Sequence, residues 1–332
     1  MHIGVPREIK NHEYRVGLTP SSVREMVAHG HQVTVETGAG KGIGATDEVY
    51  QKAGAVIAPT AAEIFACAEM IVKVKEPQAE ERAMLREGQI LYTYLHLAPD
   101  PAQCADLVKS GAVCIAYETV TQAGGGLPLL APMSEVAGRL SVQAGAYCLE
   151  KAHGGMGVLL GGVAGVPSAR IVILGGGVVG SNAAQIAVGS GAQVVVIDRN
   201  IDVLRRMDRL LGARVITVFS NRDNVEQHVL RADLVIGGVL IPGAAAPKLV
   251  TRQMVEAMKP GSVIVDVAID QGGCCETAKA TTHANPTYLV GNVVHYCVAN
   301  MPGGVPRTST YALNNATLPF ALQIADKGWR QA

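Results

Sequence analysis

The segment Arg170–Asp198 constrains the fold more than any other part of the sequence. An apolar run, RIVIL, leads into the glycine-rich run GGGVVG at 175–180, a helical stretch follows, and a second apolar run ends at an aspartate. This order is typical of a βαβ unit that binds a dinucleotide. Gly175 makes the tight turn, Gly177 lets the backbone approach a pyrophosphate, and Gly180 lets helix and strand pack closely. The sequence therefore predicts a doubly wound, mostly parallel sheet.

The acidic residue at the end of this unit bears on the choice of cofactor. Asp198 lies 18 positions after Gly180, near the spacing of the acid that binds a ribose in such folds. Its charge would repel a 2′-phosphate and favours NAD over NADP, whereas Arg199 could pair with that phosphate. A glycine turn without a ligand is the alternative, but the strand before, the helix after, the second strand and the terminal acid all fit binding. We expect the cofactor to be NAD.

Composition excludes several classes of protein. At about 150 residues per domain, the 332 residues predict two domains. Lys plus Arg and Asp plus Glu both number 28, which argues against a nucleic-acid partner. No apolar run reaches the roughly 18–20 residues that span a bilayer, so no membrane association is expected. The 7 cysteines lack Cys-x-x-Cys spacing and predict free thiols in a reducing, cytoplasmic compartment without a metal site; the pair at 274–275 is interpreted as packing.

Short apolar runs alternate with helical patterns on both sides of residues 124–167, which are rich in Gly and Pro apart from a helix that we expect Ser134 to cap. The pattern predicts an α/β protein with two Rossmann-like, doubly wound domains of mostly parallel sheets, separated by an active-site cleft. We expect a discontinuous substrate domain at 1–127 and 308–332, and an NAD-binding domain at 128–307.

Four polar residues are candidates for chemistry. Arg15 lies in the loop HEYRVGLTP and could clamp a carboxylate or be a solvated loop arginine. Lys75, in MIVKVKEP, ends a strand where open α/β sheets bind ligands, or is an edge lysine that discourages aggregation. His96, in LYTYLHLAP, could move protons or be a structural histidine. Asp270 ends the segment SVIVDVAID and could act at a strand end or form a turn.

Together these segments resemble the bacterial L-alanine dehydrogenases, in the family that also holds the NAD-binding subunits of transhydrogenases. The resemblance covers essentially the whole chain. It implies reversible, NAD-dependent oxidative deamination of L-alanine to pyruvate and ammonium through an imine, by a homo-hexamer. The matching segments are 4–20, 72–77, 91–98, 174–180, 266–273 and 295–310.

The resemblance also implies roles for individual residues. Arg15 and Lys75 would bind the substrate carboxylate and carbonyl, His96 would donate and accept the proton, and Asp270 would activate water and the amine. Val203 stands where a basic residue is common, and Lys279 stands where arginine is common, which bears on NAD affinity. Besides the three glycines, the implied cofactor-binding residues are Ser134, Val178, Val179, Asp198, Ser220, Val239, Leu240, Val267, Ala268, Ile269, Lys279, Val298, Ala299, Asn300 and Met301.

Two other functions fit parts of the sequence. One is the NAD-binding subunit of a proton-translocating transhydrogenase, which needs no amine chemistry and so no pair such as Lys75 and His96. The other is a catalytically silent NAD-sensing module. The sequence still has a helical pattern near Ala332, where the resembling family continues for a few tens of residues. We therefore expect a further segment that packs on the substrate domain.

Overall fold

The chain divides into two compact units. A computed structural model describes residues 1–239 and 246–332. Unit 1 comprises Met1–Met133 and Gly303–Ala332, and unit 2 comprises Ser134–Pro302. The expected limits at 127 and 307 lie within 6 residues of these.

Unit 1 is built on a 6-stranded parallel sheet in the order β3-β2-β1-β4-β5-β6. The chain winds outward from β1 to β3, returns to place β4 beside β1, and continues to β6. The central strands β4 and β5 are buried along their whole length, as expected of a parallel sheet covered on both faces. The strands are β1 His2–Val5, β2 Gln32–Glu36, β3 Val56–Ala58, β4 Met70–Val72, β5 Ile90–Thr93 and β6 Val113–Ala116.

The first helix of this region begins at the residues that sequence chemistry favours, whereas the sixth does not. The Thr19 hydroxyl accepts a hydrogen bond from the Ser22 amide, and Pro20 opens α1. The expectation that Ser134 caps a helix is wrong. That helix, α6, already begins at Ala131. Pro132 is compatible with its first turn, since a backbone amide at that position has no hydrogen-bond partner within the helix. The helices are α1 Pro20–Ala28, α2 Asp47–Lys52, α3 Ala61–Cys67, α4 Ala79–Arg82, α5 Pro101–Ser110 and α6 Ala131–Leu149.

Unit 2 contains a 7-stranded sheet in the order β12-β13-β11-β10-β7-β8-β9. All neighbours pair in parallel except β12, which runs antiparallel to β13 at one edge. Apolar side chains from the two faces of the sheet form two separate core clusters. The strands are β7 Arg170–Leu174, β8 Gln193–Asp198, β9 Val215–Phe219, β10 Leu234–Gly237, β11 Val263–Asp266, β12 Thr287–Val290 and β13 Val293–Tyr296.

The last helix returns the chain to unit 1. Asn314 on this helix accepts hydrogen bonds from the Thr19 amide at 2.8 Å and the Ser22 hydroxyl at 2.9 Å, which ties it to the start of α1. Pro319 lies inside it. Among the described residues, no helix is long and apolar enough to cross a membrane. The remaining helices are α7 Val178–Gly189, α8 Ile201–Leu211, α9 Arg222–Val229, α10 Arg252–Ala257 and α11 Pro306–Lys327.

Candidate active site

Four residues are candidates for substrate binding or proton transfer, and three of them lie at one edge of the unit 1 sheet. Lys75 follows β4, His96 follows β5, and Arg15 lies in the loop that follows β1. The three strands are neighbours and parallel, so their carboxyl ends meet at the same edge. The winding direction changes between β1 and β4, and open α/β sheets bind ligands at such a point. The fourth residue, Asp270, belongs to unit 2.

Arg15 is a buried, paired arginine and not a solvated one. Only 2% of it is exposed, and its Nε and Nη2 atoms donate to the two carboxylate oxygens of Glu13 at 2.7 and 2.6 Å. Burial works against the charge, but the ion pair with Glu13 outweighs it and raises the pKa of Arg15. Its Nη1 atom lies 3.0 Å from the Met133 sulfur. Glu13 therefore fixes the position of the Arg15 guanidinium at this edge. The positive charge of that guanidinium suits a ligand with a carboxylate.

Lys75 lies inside the sheet, which excludes the role of an edge lysine. It is 8% exposed and follows the central strand β4. The Glu8 carboxylate accepts hydrogen bonds from the amides of Val74 at 2.6 Å and Lys75 at 3.4 Å. The Thr93 hydroxyl donates to the Lys75 carbonyl at 3.0 Å. The backbone that presents the ammonium group is thus held from two sides.

A second lysine, Lys73, lies two residues before Lys75 and forms a buried cluster of charges with Glu8 and Glu81. Its Nζ atom lies 3.2 Å from a Glu8 oxygen and 2.6 Å from a Glu81 oxygen, and the Lys73 side chain is fully buried. Burial alone would lower the pKa of Lys73, but the two carboxylates raise it, so the lysine stays charged. The cluster connects the loop after β1, the end of β4 and α4. Through Glu8 it also holds the backbone amides of Val74 and Lys75.

His96 adopts a backbone conformation that needs support. Its φ is +47°, in the left-handed region that few residues other than glycine adopt. The Glu118 carboxylate, which follows β6, accepts hydrogen bonds from the amides of Leu95 at 3.0 Å and His96 at 2.6 Å. The imidazole is 37% exposed, so His96 is not a core histidine.

Unit 2 presents the predicted dinucleotide loop between β7 and α7. Gly175 has a φ of +94°, which favours glycine. A Cβ at Gly180 would lie 1.8 Å from the Gly175 carbonyl oxygen, so a side chain there would prevent the close packing of loop and helix. Gly177 caps α7, and a Cβ there would meet no atom within 4 Å. The helix N-terminus thus faces open space and fits the pyrophosphate of a dinucleotide.

Asp198 ends β8 and holds the glycine loop. Its carboxylate oxygens accept from the Gly176 amide at 2.7 Å and the Asn200 amide at 2.8 Å. A Cβ at Gly176 would lie 2.7 Å from the Val203 side chain, so this middle glycine is also required. Arg206, which sequence reasoning missed, donates to the Gly176 carbonyl at 3.1 Å. A basic residue one helical turn after Val203 therefore does lie against the loop.

Most other residues expected to contact the cofactor follow carboxyl ends of the unit 2 strands, at the edge that carries the glycine loop. Val298 and Met301 have their side chains in the core, so only their backbone can face a ligand. Lys279 is exposed, and its amide donates to the Tyr288 hydroxyl at 2.7 Å. Asp270 is exposed in the 3-10 turn Val267–Gln271 after β11, and Leu240 lies outside the described residues.

The pair Cys274 and Cys275 has a structural explanation. Both amides donate to one oxygen of the buried Asp266 carboxylate, at 2.8 and 3.2 Å. The two thiols and this carboxylate lie close enough together to suit a metal ion. The neighbouring Cys274 thiol and burial raise the pKa of Cys275, and the pKa of Cys274 is raised as well. Through the two amides, Asp266 anchors the turn after β11.

The fold, the sheet edge with Arg15, Lys75 and His96 in unit 1, and the glycine loop in unit 2 define a dinucleotide-binding α/β protein. The family described as "Alanine dehydrogenase/PNT, N-terminal domain" matches residues 4–137, and its C-terminal domain counterpart matches 141–332. An alanine dehydrogenase of Halomonas elongata is 61% identical over 332 residues, which are 100% of this chain and 90% of the relative. The chain belongs to the alanine dehydrogenase/PNT family.

Solved structures agree with this assignment. An L-alanine dehydrogenase superposes with a TM-score of 0.97 at 54% identity, over 100% of this chain and 91% of the other. A transhydrogenase from Sinorhizobium meliloti superposes with a TM-score of 0.85 at 29% identity, over 98% and 95% of the two chains. These likenesses confirm the predicted α/β class with two mostly parallel sheets.

Proposed function

We propose that this protein is an NAD-dependent L-alanine dehydrogenase, which converts L-alanine reversibly to pyruvate and ammonium through an imine. The observation that carries the proposal is the grouping of Arg15, Lys75 and His96 at one edge of unit 1, in a chain 61% identical over its full length to an alanine dehydrogenase. Unit 2 supplies a glycine loop that fits a dinucleotide.

Arg15 and Lys75 bind the substrate. The guanidinium of Arg15, fixed by Glu13, pairs with the carboxylate that alanine and pyruvate share. The ammonium of Lys75 lies on a backbone held by Glu8 and Thr93, and it polarises the carbonyl of pyruvate. Because these cations are placed before the substrate arrives, little reorganisation is needed on binding.

His96 and Asp270 carry the proton chemistry. The glycine loop before α7 would hold NAD, which would supply the acceptor for the hydride that leaves the alanine Cα. The neutral imidazole of His96 takes the proton lost when water adds to the imine and returns it when ammonium leaves. Asp270 orients the water and the amine during imine hydrolysis; it lies exposed after β11, where a ligand can reach it.

The transhydrogenase alternative shares the fold but not this chemistry. Hydride exchange between two nicotinamides needs neither a carboxylate clamp nor a proton carrier. The buried Arg15–Glu13 pair and the supported His96 favour the dehydrogenase. We further propose a cytoplasmic homo-hexamer, as the family resemblance implies, and the free state of all 7 cysteines is compatible with that compartment. Light scattering of the purified protein measures the subunit number.

We expect the purified protein to reduce NAD in the presence of L-alanine, and to oxidise NADH with pyruvate and ammonium. The assay follows NADH absorbance between about pH 7 and 10, a range wide enough to record the pH–rate profile. A panel of L-alanine, L-serine, L-2-aminobutyrate and D-alanine, with NAD and NADP, defines the side-chain pocket. Absence of turnover with L-alanine and either cofactor would reject the proposal.

We expect Asp198→Ala to lower the NAD/NADP ratio of kcat/KM by about 10- to 100-fold. The variant loses the hydrogen bond between the ribose and a charged carboxylate, and it no longer repels the 2′-phosphate of NADP. Because Asp198 also holds the Gly176 amide, affinity for both cofactors is expected to fall. Asp202→Ala, in the exposed first turn of α8, removes the same charge nearby and serves as control. An unchanged ratio in Asp198→Ala would show that this carboxylate does not contact the ribose.

A further inference from the structure

Glu76 lies between a lysine and the histidine of the candidate site. One carboxylate oxygen lies 3.3 Å from His96 Nδ1, and the other pairs with the Lys10 ammonium. The carboxylate is largely buried, with 13% of its side chain exposed. Neither sequence motifs nor the family resemblance singled it out. Its two oxygens thus have separate partners, one of which can only donate hydrogen bonds.

The Glu76 carboxylate stays ionised throughout the neutral range. Burial alone would raise its pKa, but the contact with His96 and the charges of Lys75 and Lys10 lower it to about 2. An ionised carboxylate accepts hydrogen bonds and donates none. A neutral imidazole beside it must therefore carry its proton on Nδ1, which leaves the lone pair on Nε2.

We propose that Glu76 is a positioning residue that fixes the Nδ1–H tautomer of His96 and so makes Nε2 the atom that exchanges the substrate proton. This inference rests on the proposed function. Among the described residues, Glu118 accepts the backbone amide of His96 and the Tyr94 ring lies 5.7 Å from its imidazole, whereas Lys10 pairs with the other oxygen of Glu76. Glu118 thus fixes the backbone, whereas Glu76 fixes the ring and its tautomer.

The variant Glu76→Gln reverses the polarity of this contact with almost no change in shape. Lys10 can only donate, so the new amide turns its oxygen to Lys10 and its NH2 group to His96. Nδ1 then has to accept, and the proton moves to Nε2. A histidine held in the wrong tautomer beside an amide loses most of its catalytic power in serine proteases. We expect kcat with L-alanine to fall by about 100-fold or more, with a much smaller change in KM.

The direct measurement is the ¹⁵N spectrum of histidine side chains in the full-length protein, recorded at about pH 8.5, where an ordinary imidazole is neutral. His96→Ala identifies the His96 signals among those of the 9 histidines. Wild type and Glu76→Asp, which keeps an accepting carboxylate, should show the Nδ1–H form. Glu76→Gln should show the Nε2–H form. Glu80→Gln, at an exposed position of α4, loses the same charge and should resemble wild type in spectrum and kcat.

Two results would overturn the inference. One is an Nδ1–H signature that persists in Glu76→Gln. The other is a wild-type kcat in a variant whose tautomer has inverted, which would show that Nε2 does not exchange the proton. The spectra need no substrate, so they decide the tautomer even if the protein fails to oxidise alanine. Failure of the alanine assay in wild type would instead reject the proposed function.

Discussion

Replacing His96 with alanine is expected to lower kcat for L-alanine oxidation by about 10²- to 10⁴-fold, the range for loss of a positioned general acid–base. His96 follows β5 at the sheet edge that also carries Arg15 and Lys75, and Glu118 fixes its backbone amide there. NAD should bind as before, because the glycine loop belongs to unit 2. Steady-state kinetics give kcat, and quenching or enhancement of NADH fluorescence gives the cofactor dissociation constant.

His29→Ala is the matched control for this experiment. His29 belongs to the same unit but follows α1, where the chain enters β2, at the opposite edge of the sheet from His96. Its imidazole is exposed and lies 3.1 Å from Asp326, so its loss should leave kcat near the wild-type value. Turnover of His96→Ala at the wild-type rate would remove His96 from the mechanism, and loss of NADH binding would show a structural effect instead.

The α/β class and the dinucleotide loop could be predicted because their signals are local. The run RIVIL predicts the observed bounds of β7, Arg170–Leu174, without error. Strands β3 and β12 were not predicted. The first is 3 residues long, and the second alternates between exposed and half-buried side chains at a sheet edge, so neither forms a continuous apolar run.

Arg15, Lys75 and His96 were candidates from the sequence, but the carboxylates that hold them were not. Lys75 and His96 stand out because each follows an apolar run that predicts a strand, and Arg15 stands out in the short loop HEYRVGLTP. Glu118 meets His96 from 22 positions away and Glu8 meets the Val74 amide from 66 positions away, so only the fold brings them together. Glu13 is different. It lies two residues before Arg15, and an acid so close to a candidate clamp was a local signal of pairing.

Replacing Lys73 with methionine is expected to lower the free energy of unfolding by about 3–5 kcal/mol, as when one partner of a buried ion pair is removed. Lys73 is the only cation that the structure shows within salt-bridge distance of Glu8 or Glu81 among the described residues. Methionine fills a similar volume but leaves two buried carboxylates without a counter-charge. Hydrogen exchange of peptides from β4 and β5 during urea unfolding measures the loss within unit 1, and Lys109→Met, at an exposed position of α5, is the control.

The pH dependence of Lys73→Met distinguishes lost charge pairing from lost packing. Burial already raises the pKa of Glu8 above its ordinary value of 4.5, and Lys73 is the strongest influence that lowers it. Without Lys73, that pKa rises further in the folded state. A carboxyl whose pKa is higher folded than unfolded stabilises the protein when protonated and loses that contribution as pH rises through the folded pKa. The deficit relative to wild type should therefore be largest at pH 7 and shrink as pH falls towards 4.5. A deficit that stays constant across this range would mean that packing, and not charge, is the contribution of Lys73.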